Sequence, residues 1–220
     1  MTSHDNVAVY GAGHLGRQTL THLRNHFPHL EVAGFVDDRI EAGEHVVHGL
    51  DCLGALDDVA CSADFGPSGV GVVFAIGYAD MRARRRALDR IEAAGYKLVS
   101  VIHPQAIVDP TATVEDGCTV LAGAIIDQGA HIEAGSYVDI GVRVGEDAVI
   151  GRSSYVSSGA ALGGRVRVGA DSFLGMDCTI TTGVSVGRHC FIIAKSLVAR
   201  DLQDDTKLVE IHKARELPNA

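Results

Sequence analysis

The hydrophobic positions of the chain follow a six-residue repeat from Val108 to Val198. Every sixth residue there is aliphatic, at sixteen consecutive positions, and two residues before each aliphatic position stands a small residue such as alanine, serine, cysteine or valine. A period of six fits neither a helix of 3.6 residues per turn nor a strand of period two. It predicts a parallel β-solenoid in which each hexapeptide is a short strand followed by a corner.

Three hexapeptides would close one triangular coil, so residues 18 apart should stack and the sixteen repeats should form about five coils. One set of aromatic residues has this spacing: Tyr137, Tyr155, Phe173 and Phe191. Each precedes an aliphatic position, so the four rings should form an outward-facing stripe. A row of exposed aromatic rings implies a cover. Packing between the subunits of a trimer is the simplest cover, and a ligand-binding wall is the alternative.

The N-terminal part has a different pattern, typical of a βαβ unit. An apolar strand at 6–10 leads into glycines at 11, 13 and 16, then into a helix at 17–27 and a strand at 31–36 that ends at Asp37 and Asp38. Glycines between strand and helix permit a tight turn and a close approach of phosphate to the helix N-terminus. The alternative is a tight turn without a ligand. Hydride transfer is disfavoured, since only about 100 residues precede the repeats, half of a dinucleotide-binding domain.

The rest of this part predicts a loop and short helix over 49–59, a buried strand over 70–77, a helix over 81–94 and a last strand over 98–102. Four arginines lie near the start of the third helix, either as a solvated face or with one arginine reaching a phosphate: Arg82, Arg84, Arg85 and Arg86. Pro104 should break the last strand. We therefore expect an α/β domain at 1–103, a β-helix at 104–200 and a polar C-terminal tail at 201–220.

Composition narrows the functional classes. The 220 residues carry a net charge of −9 without a basic stripe, which argues against nucleic-acid binding. No apolar run reaches the ~18 residues that span a membrane, and the N-terminus lacks the apolar core of a signal peptide. Three of the five cysteines, Cys118, Cys178 and Cys190, occupy small-residue positions of the repeat, so we expect buried, inert thiols. The cysteine spacing matches no zinc pattern, so no metal is expected, and a reducing compartment, the cytoplasm, is favoured.

Four motifs, in this order, resemble the sugar O- and N-acyltransferases of the sialic acid and bacillosamine type: VYGAGHLG at 9–16, GFVDD at 34–38, AIG at 75–77 followed by Arg82, and IHPQA at 102–106. The resemblance covers nearly the whole chain. It implies a Rossmann-like α/β domain followed by a left-handed parallel β-helix of hexapeptide repeats, assembled as a homotrimer. It also implies a nucleotide-activated sugar as acceptor and acetyl-CoA, or another acyl-CoA, as co-substrate between two subunits.

The resemblance assigns eight substrate-binding residues to the N-terminal domain: Gly11, Gly13, His14, Gly16, Asp37, Asp38, Gly77 and Arg82. The family's catalytic stretch carries an asparagine and, seven residues on, a histidine. Here these positions hold Asp139 and Glu146, and a second family histidine falls on Tyr155. The segment that accommodates CoA in the family falls on residues 192–195, with Ala194 and Lys195, and its closing motif falls on 210–215.

Glu146 should stack one coil from Gly164, whose family counterpart donates its backbone N–H to the thioester oxygen. We therefore interpret Glu146 as the general base, with Asp139 beside it able to raise one of the two pKa values by like-charge repulsion. The alternative is a solvated carboxylate pair, on a homologue that binds a nucleotide or metabolite without catalysis or on a scaffold with different, acidic chemistry. His131 and His189 are expected on the surface, and His103 in a structural role.

Overall fold

The computed structural model describes residues 6–209 and divides them into an α/β unit and a parallel β-helix. The α/β unit contains β1 (Asn6–Tyr10), α1 (His14–His26), β2 (Glu31–Val36), β3 (His45–Val47), β4 (Leu50–Gly54), α2 (Leu56–Ala60), β5 (Gly71–Phe74) and α3 (Met81–Ala93). None of the helices within the described residues is long and apolar enough to cross a membrane.

The five strands of the α/β unit form one sheet in the order β3-β4-β2-β1-β5. All pairs are parallel except β3 with β4. Both sides of the sheet are buried, one with Leu20 and Leu23 of α1 and the other with Leu56 of α2 and Leu88 of α3. The expected first strand, second strand and helices are confirmed to within a few residues. Of the loop and short helix expected over 49–59, the loop is wrong, because Leu50–Gly54 pairs with β2 as a strand.

The hexapeptides form three parallel sheets, which we call faces 1, 2 and 3. Face 1 comprises β6 (Val101–Ile102), β9 (Thr119–Val120), β12 (Tyr137–Val138), β15 (Tyr155–Val156), β18 (Phe173–Leu174), β21 (Phe191–Ile192) and β23 (Lys207–Leu208). Face 2 comprises β7 (Ile107–Val108), β10 (Ile125–Ile126), β13 (Arg143–Val144), β16 (Ala161–Leu162), β19 (Thr179–Ile180) and β22 (Leu197–Val198). Face 3 comprises β8 (Thr113–Val114), β11 (His131–Ile132), β14 (Val149–Ile150), β17 (Arg167–Val168) and β20 (Ser185–Val186).

The predicted stacking is confirmed by the strand register. Tyr137 pairs with Tyr155, 18 residues on, and the aliphatic residues of successive coils form one continuous core column. Every sixth residue from Gly117 to Lys195 has a positive φ, which turns the chain at each corner. Short strands and tight corners therefore alternate strictly, and this is the origin of the six-residue period.

The pairing of the β-helix extends past the expected boundaries on both sides. Val101 and Ile102 already belong to face 1, where they pair with β9. At the other end, β23 pairs with β21, although Lys207 follows Phe191 by only 16 residues. This shortened last coil breaks the six-residue pattern in the sequence, which is why the repeat was expected to stop at residue 200.

The aromatic stripe on face 1 is covered by the α/β unit of the same chain, not by a neighbouring subunit. Tyr137, Tyr155 and Phe173 are buried and pack with Leu15 of α1 and Met81 of α3. The expectation that the stripe faces a subunit contact is therefore wrong. The reason is that α1 and the start of α3 fold back onto face 1 and bury these three rings, while Phe191 is partly buried at the end of the stripe.

Candidate functional site

A cavity of about 730 Å³ lies where the α/β unit meets face 1. Its walls are the carboxyl ends of β1, β2 and β5, the start of α1 and the side of α3 that carries Ala83, Arg86 and Arg90. Six of the expected substrate-binding residues line it, namely Gly11, Gly13, His14, Asp37, Asp38 and Gly77. Ligands of open parallel sheets bind at this edge, outside the carboxyl ends of the strands.

The glycine turn between β1 and α1 is held in place by the residues that follow β2. Gly11 N–H donates to the carbonyl of Val36 (2.8 Å). One oxygen of Asp37 accepts from Ala12 N–H (2.9 Å) and the other from Arg39 N–H (3.0 Å). Gly13 is the N-cap of α1 and provides no side-chain cap. His14 and Leu15 of the first turn line the cavity, and the N–H groups of this uncapped helix start favour an anionic group there.

Gly16 has a packing role and does not line the cavity. A Cβ atom at this position would lie 1.8 Å from the carbonyl oxygen of Gly11. By contrast, a Cβ atom at Gly13 would meet nothing within 4 Å. The third glycine of the motif thus lets α1 approach β1 closely, while the first two form the cavity wall.

Asp38 is the centre of a polar network at the rim of the cavity. Its carboxylate accepts from the Tyr10 hydroxyl (3.0 Å), from Leu56 N–H (3.0 Å) and from Arg90. Although burial acts to raise the pKa of Asp38, these hydrogen bonds lower it below its usual value. Asp38 is therefore held as a carboxylate beside the cavity.

The arginines of α3 have different positions and roles, which the sequence alone did not distinguish. Arg82, expected to bind substrate, lies outside the cavity and forms an exposed ion pair with Asp205 (3.8 Å). Arg86 and Arg90 line the cavity instead, together with Arg39. Arg84 is buried between the two parts of the chain. The burial of Arg84 could have been predicted from the periodicity of α3, because Arg84, Leu88 and Ile91 lie on the same side of the helix.

Arg84 joins the cavity wall to the β-helix through backbone carbonyls. Its guanidinium donates to Ser153 (3.1 Å) and Gly135 (2.5 Å) in two successive coils, and to Ile76 beside the cavity. It also lies over the rings of Phe74 (4.5 Å) and Tyr155 (5.8 Å). Burial lowers the pKa of Arg84 to about 10, so the group stays cationic at neutral pH.

Tyr155, expected near the reacting groups, forms the end of the cavity on face 1. Its ring stacks on Tyr137 (4.5 Å between centroids) and contacts Tyr78, which also lines the cavity (5.0 Å). Burial, and after it the charge of Asp139, raise the pKa of the Tyr155 hydroxyl. The aromatic stripe thus contributes a cavity wall, which was the alternative interpretation of its spacing.

Asp139 and Glu146 do not meet within one chain. Asp139 follows β12 at the corner between faces 1 and 2, where Ser158 Oγ (2.8 Å) and Ile140 N–H (2.7 Å) donate to it. Glu146 follows β13 at the corner between faces 2 and 3. The like-charge interaction expected between them is therefore absent within the described chain, because the strand β13 separates the two corners.

The stacking of Glu146 on Gly164 is as expected. A Cβ atom at Gly164 would lie 1.8 Å from one carboxylate oxygen of Glu146, so the carboxylate covers this glycine directly. Arg165 Nη1 lies 3.3 Å from the same oxygen. Glu146 is half-exposed and does not line the cavity.

The two expected donor-binding residues lie on the same corner column as Asp139. Ala194 and Lys195 are exposed at the corner between faces 1 and 2, three coils beyond it. Lys195 has a positive φ, and its N–H donates to Met176 (2.8 Å). The closing segment at 210–215 lies outside the described residues.

The remaining sequence expectations concern histidines and cysteines. His131 and His189 are partly exposed on the β-helix, and their partners are Glu115 (2.6 Å) and Asp171 (3.9 Å). Cys118, Cys178 and Cys190 are buried free thiols whose pKa values burial raises, to about 12 for the first two. This confirms them as inert packing residues.

Part of the β-helix sequence is similar to a known family of repeats. Residues 141–171 and 165–194 match the family model of the hexapeptide repeat of succinyl-transferase. No curated protein sequence matches the chain.

Solved structures of sugar acetyltransferases are similar to this chain over most of its length. The acetyltransferase domain of PglB from Neisseria gonorrhoeae FA1090 is 27% identical, over 92% of this chain and 95% of that one, with a TM-score of 0.79. A variant of perosamine N-acetyltransferase from Caulobacter crescentus, in complex with CoA and GDP-perosamine, is 28% identical over 92% of each chain, with a TM-score of 0.82. The PglB domain has also been solved with acetyl coenzyme A. The resemblance to sugar acyltransferases is thereby confirmed.

Proposed function

We propose that this chain is an acyl-CoA-dependent acyltransferase that acts on an amino or hydroxyl group of a nucleotide-activated sugar. The observation that carries the proposal is the cavity between the glycine turn of α1 and Tyr155. It lies in a chain that is similar over nearly its whole length to a perosamine N-acetyltransferase in complex with CoA and GDP-perosamine.

The α/β unit is the proposed nucleotide-binding, Rossmann-like domain. The diphosphate would lie against Gly11, Gly13 and the first turn of α1, where backbone N–H groups and the helix dipole favour negative charge. Arg39 and Arg86 line the same cavity and would supply positive charge to the diphosphate. The sugar would then extend toward Tyr155, with Asp139 close enough to influence that hydroxyl.

The donor and acceptor positions are proposed to meet between subunits of a homotrimer. In one chain, Asp139, Ala194 and Lys195 lie on the corner between faces 1 and 2, whereas Glu146 and Gly164 lie on the corner between faces 2 and 3. The two corners come together when face 2 of each copy points toward a threefold axis. A heterologous interface that closes after three copies has this form.

The surface of face 2 supports this arrangement. Ile107, Ile125 and Leu197 point outward from it and are 63%, 40% and 67% exposed. At the adjoining corner, Ile140 and Met176 are also exposed. Face 1 is already covered by the α/β unit, so the surface that a second copy would bury is face 2, where these apolar residues lie beside the exposed Arg143 and Thr179.

In the proposed reaction, Glu146 takes the role of the catalytic histidine in related enzymes. The lone pair of a neutral amine, or of a hydroxyl, attacks the thioester carbonyl carbon, and the Glu146 carboxylate accepts the proton that the nucleophile loses. The carbonyl oxygen becomes an oxyanion, stabilised by Gly164 N–H, which has no hydrogen-bond partner among residues 6–209. Collapse of this intermediate breaks the C–S bond and releases CoA as thiolate, which takes up a proton.

The test is a transfer assay with the full chain, acetyl-CoA and a panel of UDP-, GDP- and dTDP-linked amino sugars. Release of CoA thiol and the mass of the acetylated sugar are measured together, so that hydrolysis of acetyl-CoA is distinguished from transfer. We expect transfer to at least one nucleotide amino sugar.

A second candidate is a homologue that binds nucleotide sugar without catalysis, and the carboxylate in place of a histidine favours it. Calorimetric titration separates the two functions. Binding of a nucleotide sugar without binding of any acyl-CoA supports the second candidate, and binding of neither contradicts both.

A further inference from the structure

Three histidines meet where α1 packs against the start of the β-helix. His22 and His26 stand one turn apart on α1, and His103 follows β6. The ring centroids of His26 and His103 are 4.2 Å apart, and that of His22 lies about 6 Å from both, at 6.2 and 6.1 Å. One nitrogen atom from each ring lies within 4.8 Å of the other two.

This arrangement has the elements of a metal site. Positions i and i+4 lie on the same side of a helix, so His22 and His26 can reach one ion together. Imidazole suits zinc, cobalt, nickel and copper ions, and three protein ligands with an open fourth position form a common zinc geometry. We propose that His22, His26 and His103 together bind one divalent ion of this group, such as Zn²⁺ or Co²⁺.

The charges around the cluster suit a cation. Burial and the neighbouring imidazoles lower the pKa values of His22 and His103, so both rings are neutral near pH 7 and can offer lone pairs. The Asp139 carboxylate acts on His22 in the opposite direction and is the anionic group that influences this site. Exposure of His26 gives solvent, and therefore an ion and its water ligand, access to the cluster.

Binding requires a small rearrangement of His103. Gln105 N–H donates to His103 Nδ1 at 3.0 Å, so the neutral ring carries its proton on Nε2. A metal ligated at Nε2 needs that proton on Nδ1 instead. Loading therefore moves the proton and removes the hydrogen bond from Gln105, while the three rings close in around the ion. Because the site lies outside the cavity, this proposal is independent of the proposed function.

The experiment measures metal binding by the tag-free full chain after treatment with a chelator. The exposed Cys61 is changed to serine in every variant, because a thiolate would compete for the ion. Co²⁺ is followed by its visible absorption, and Zn²⁺ by competition with Co²⁺. We expect one ion per chain near pH 7.5 and its release near pH 5, where imidazoles are protonated.

The variants His22→Gln and His26→Gln should each weaken binding by about tenfold or more, as loss of a supporting interaction already costs 10–100-fold. His189→Gln is the matched control on the β-helix and should bind like the parent chain. Unchanged affinity in His22→Gln and His26→Gln would overturn the proposal, and so would the absence of stoichiometric binding.

The variant His103→Asn tests the third ligand. Loss of affinity in a chain with an unchanged circular dichroism spectrum supports the three-histidine site, and retained affinity overturns it. If this variant does not fold, X-ray absorption of the zinc-loaded parent chain decides the question. Three imidazoles around the ion support the proposal, and two or fewer overturn it.

Discussion

At the scale of single residues, Glu146 carries the proposed chemistry. General-base assistance contributes about 10²–10⁴ in rate, so Glu146→Gln should lower kcat by a factor in this range. The fold should be unchanged, because the side chain is half-exposed in the single chain. Glutamine has nearly the same size as glutamate, so the oligomeric state should also be unchanged. Steady-state transfer kinetics measure the effect.

The control for Glu146→Gln is Asp147→Asn at the next position. Asp147 is exposed and has a positive φ of 56°, and asparagine tolerates this conformation as well as aspartate does. The control should keep full kcat. A Glu146→Gln enzyme with undiminished kcat would contradict its role as base and make His131 and His189 the next residues to test.

The glycine turn offers a pair of substitutions with opposite outcomes. Gly16→Ala places a methyl group against the Gly11 carbonyl, and overpacking of this kind costs about 1–3 kcal/mol or more. Gly13→Ala meets open space in the cavity wall and should leave the free energy of unfolding within about 1 kcal/mol. Thermal unfolding measures both changes. Equal destabilisation of the two variants would contradict the packing role assigned to Gly16.

The histidine cluster predicts a dependence of stability on pH. The pKa of His22 is lowered in the folded chain, mainly by burial and then by His26. Between the lowered pKa and the ordinary value of about 6.5, the unfolded chain binds more protons than the folded one. Stability should therefore be complete above about pH 6.5 and fall as the pH drops below it.

Chemical unfolding at a series of pH values in the presence of a chelator tests this dependence. His22→Gln removes one of the titrating groups and should flatten the decline below about pH 6.5. His189→Gln, which lies outside the cluster, should leave the slope unchanged. Identical slopes in the parent chain and His22→Gln would contradict the prediction.

At the scale of elements, α3 fixes the α/β unit to face 1. Arg84 donates to three backbone carbonyls. Nearby, Arg152 in a corner of the β-helix pairs with Glu92 and with Asp89 (3.5 Å) on α3. The cavity lies between the parts that these contacts join, so its shape depends on them.

Substitution of Arg84 tests this dependence. Arg84→Met keeps much of the volume but leaves buried carbonyls unpaired, each of which costs about 1–3 kcal/mol. We expect a lower unfolding temperature and weaker binding of nucleotide sugar by calorimetry. Arg82→Met on the same helix removes only an exposed ion pair, worth about 0–1 kcal/mol, and is the control. An Arg84→Met chain as stable as Arg82→Met would contradict the assignment.

At the scale of the whole molecule, face 2 should lie at the centre of a trimer. A charge placed on its apolar surface would be buried there without a partner, so Ile107→Glu, whose stacked neighbour is Ile125, should yield monomers in light scattering and abolish transfer. Thr113→Glu places the same charge at the equivalent outward position of face 3 and should remain trimeric. A parent chain that is monomeric at working concentration would contradict the arrangement.

Much of the fold could be predicted from the sequence, because the geometry of the coil determines the spacing between residues of each type. The core of a triangular coil accepts only an aliphatic residue at one position and a small residue at another, so the register of Tyr137 with Tyr155 followed from counting. The last coil could not be predicted, because the connection between Phe191 and Lys207 is shorter than 18 residues and breaks the six-residue repeat. The strand β4 could not be predicted because its five residues, LDCLG, include an aspartate and a glycine and show little apolar alternation.

Only part of the candidate site could be predicted from the sequence. Features that depend on nearby residues in the chain were predictable, and features that depend on packing between distant parts were not. Local sequence determined the glycine turn, the acids after β2 and the stacking of Glu146 on Gly164, since each depends on neighbours in the chain or on the fixed repeat. Only the tertiary structure decided which arginine is buried, what covers the aromatic stripe and that His103 meets α1. These depend on how the α/β unit packs on face 1, and no spacing within either part encodes that packing.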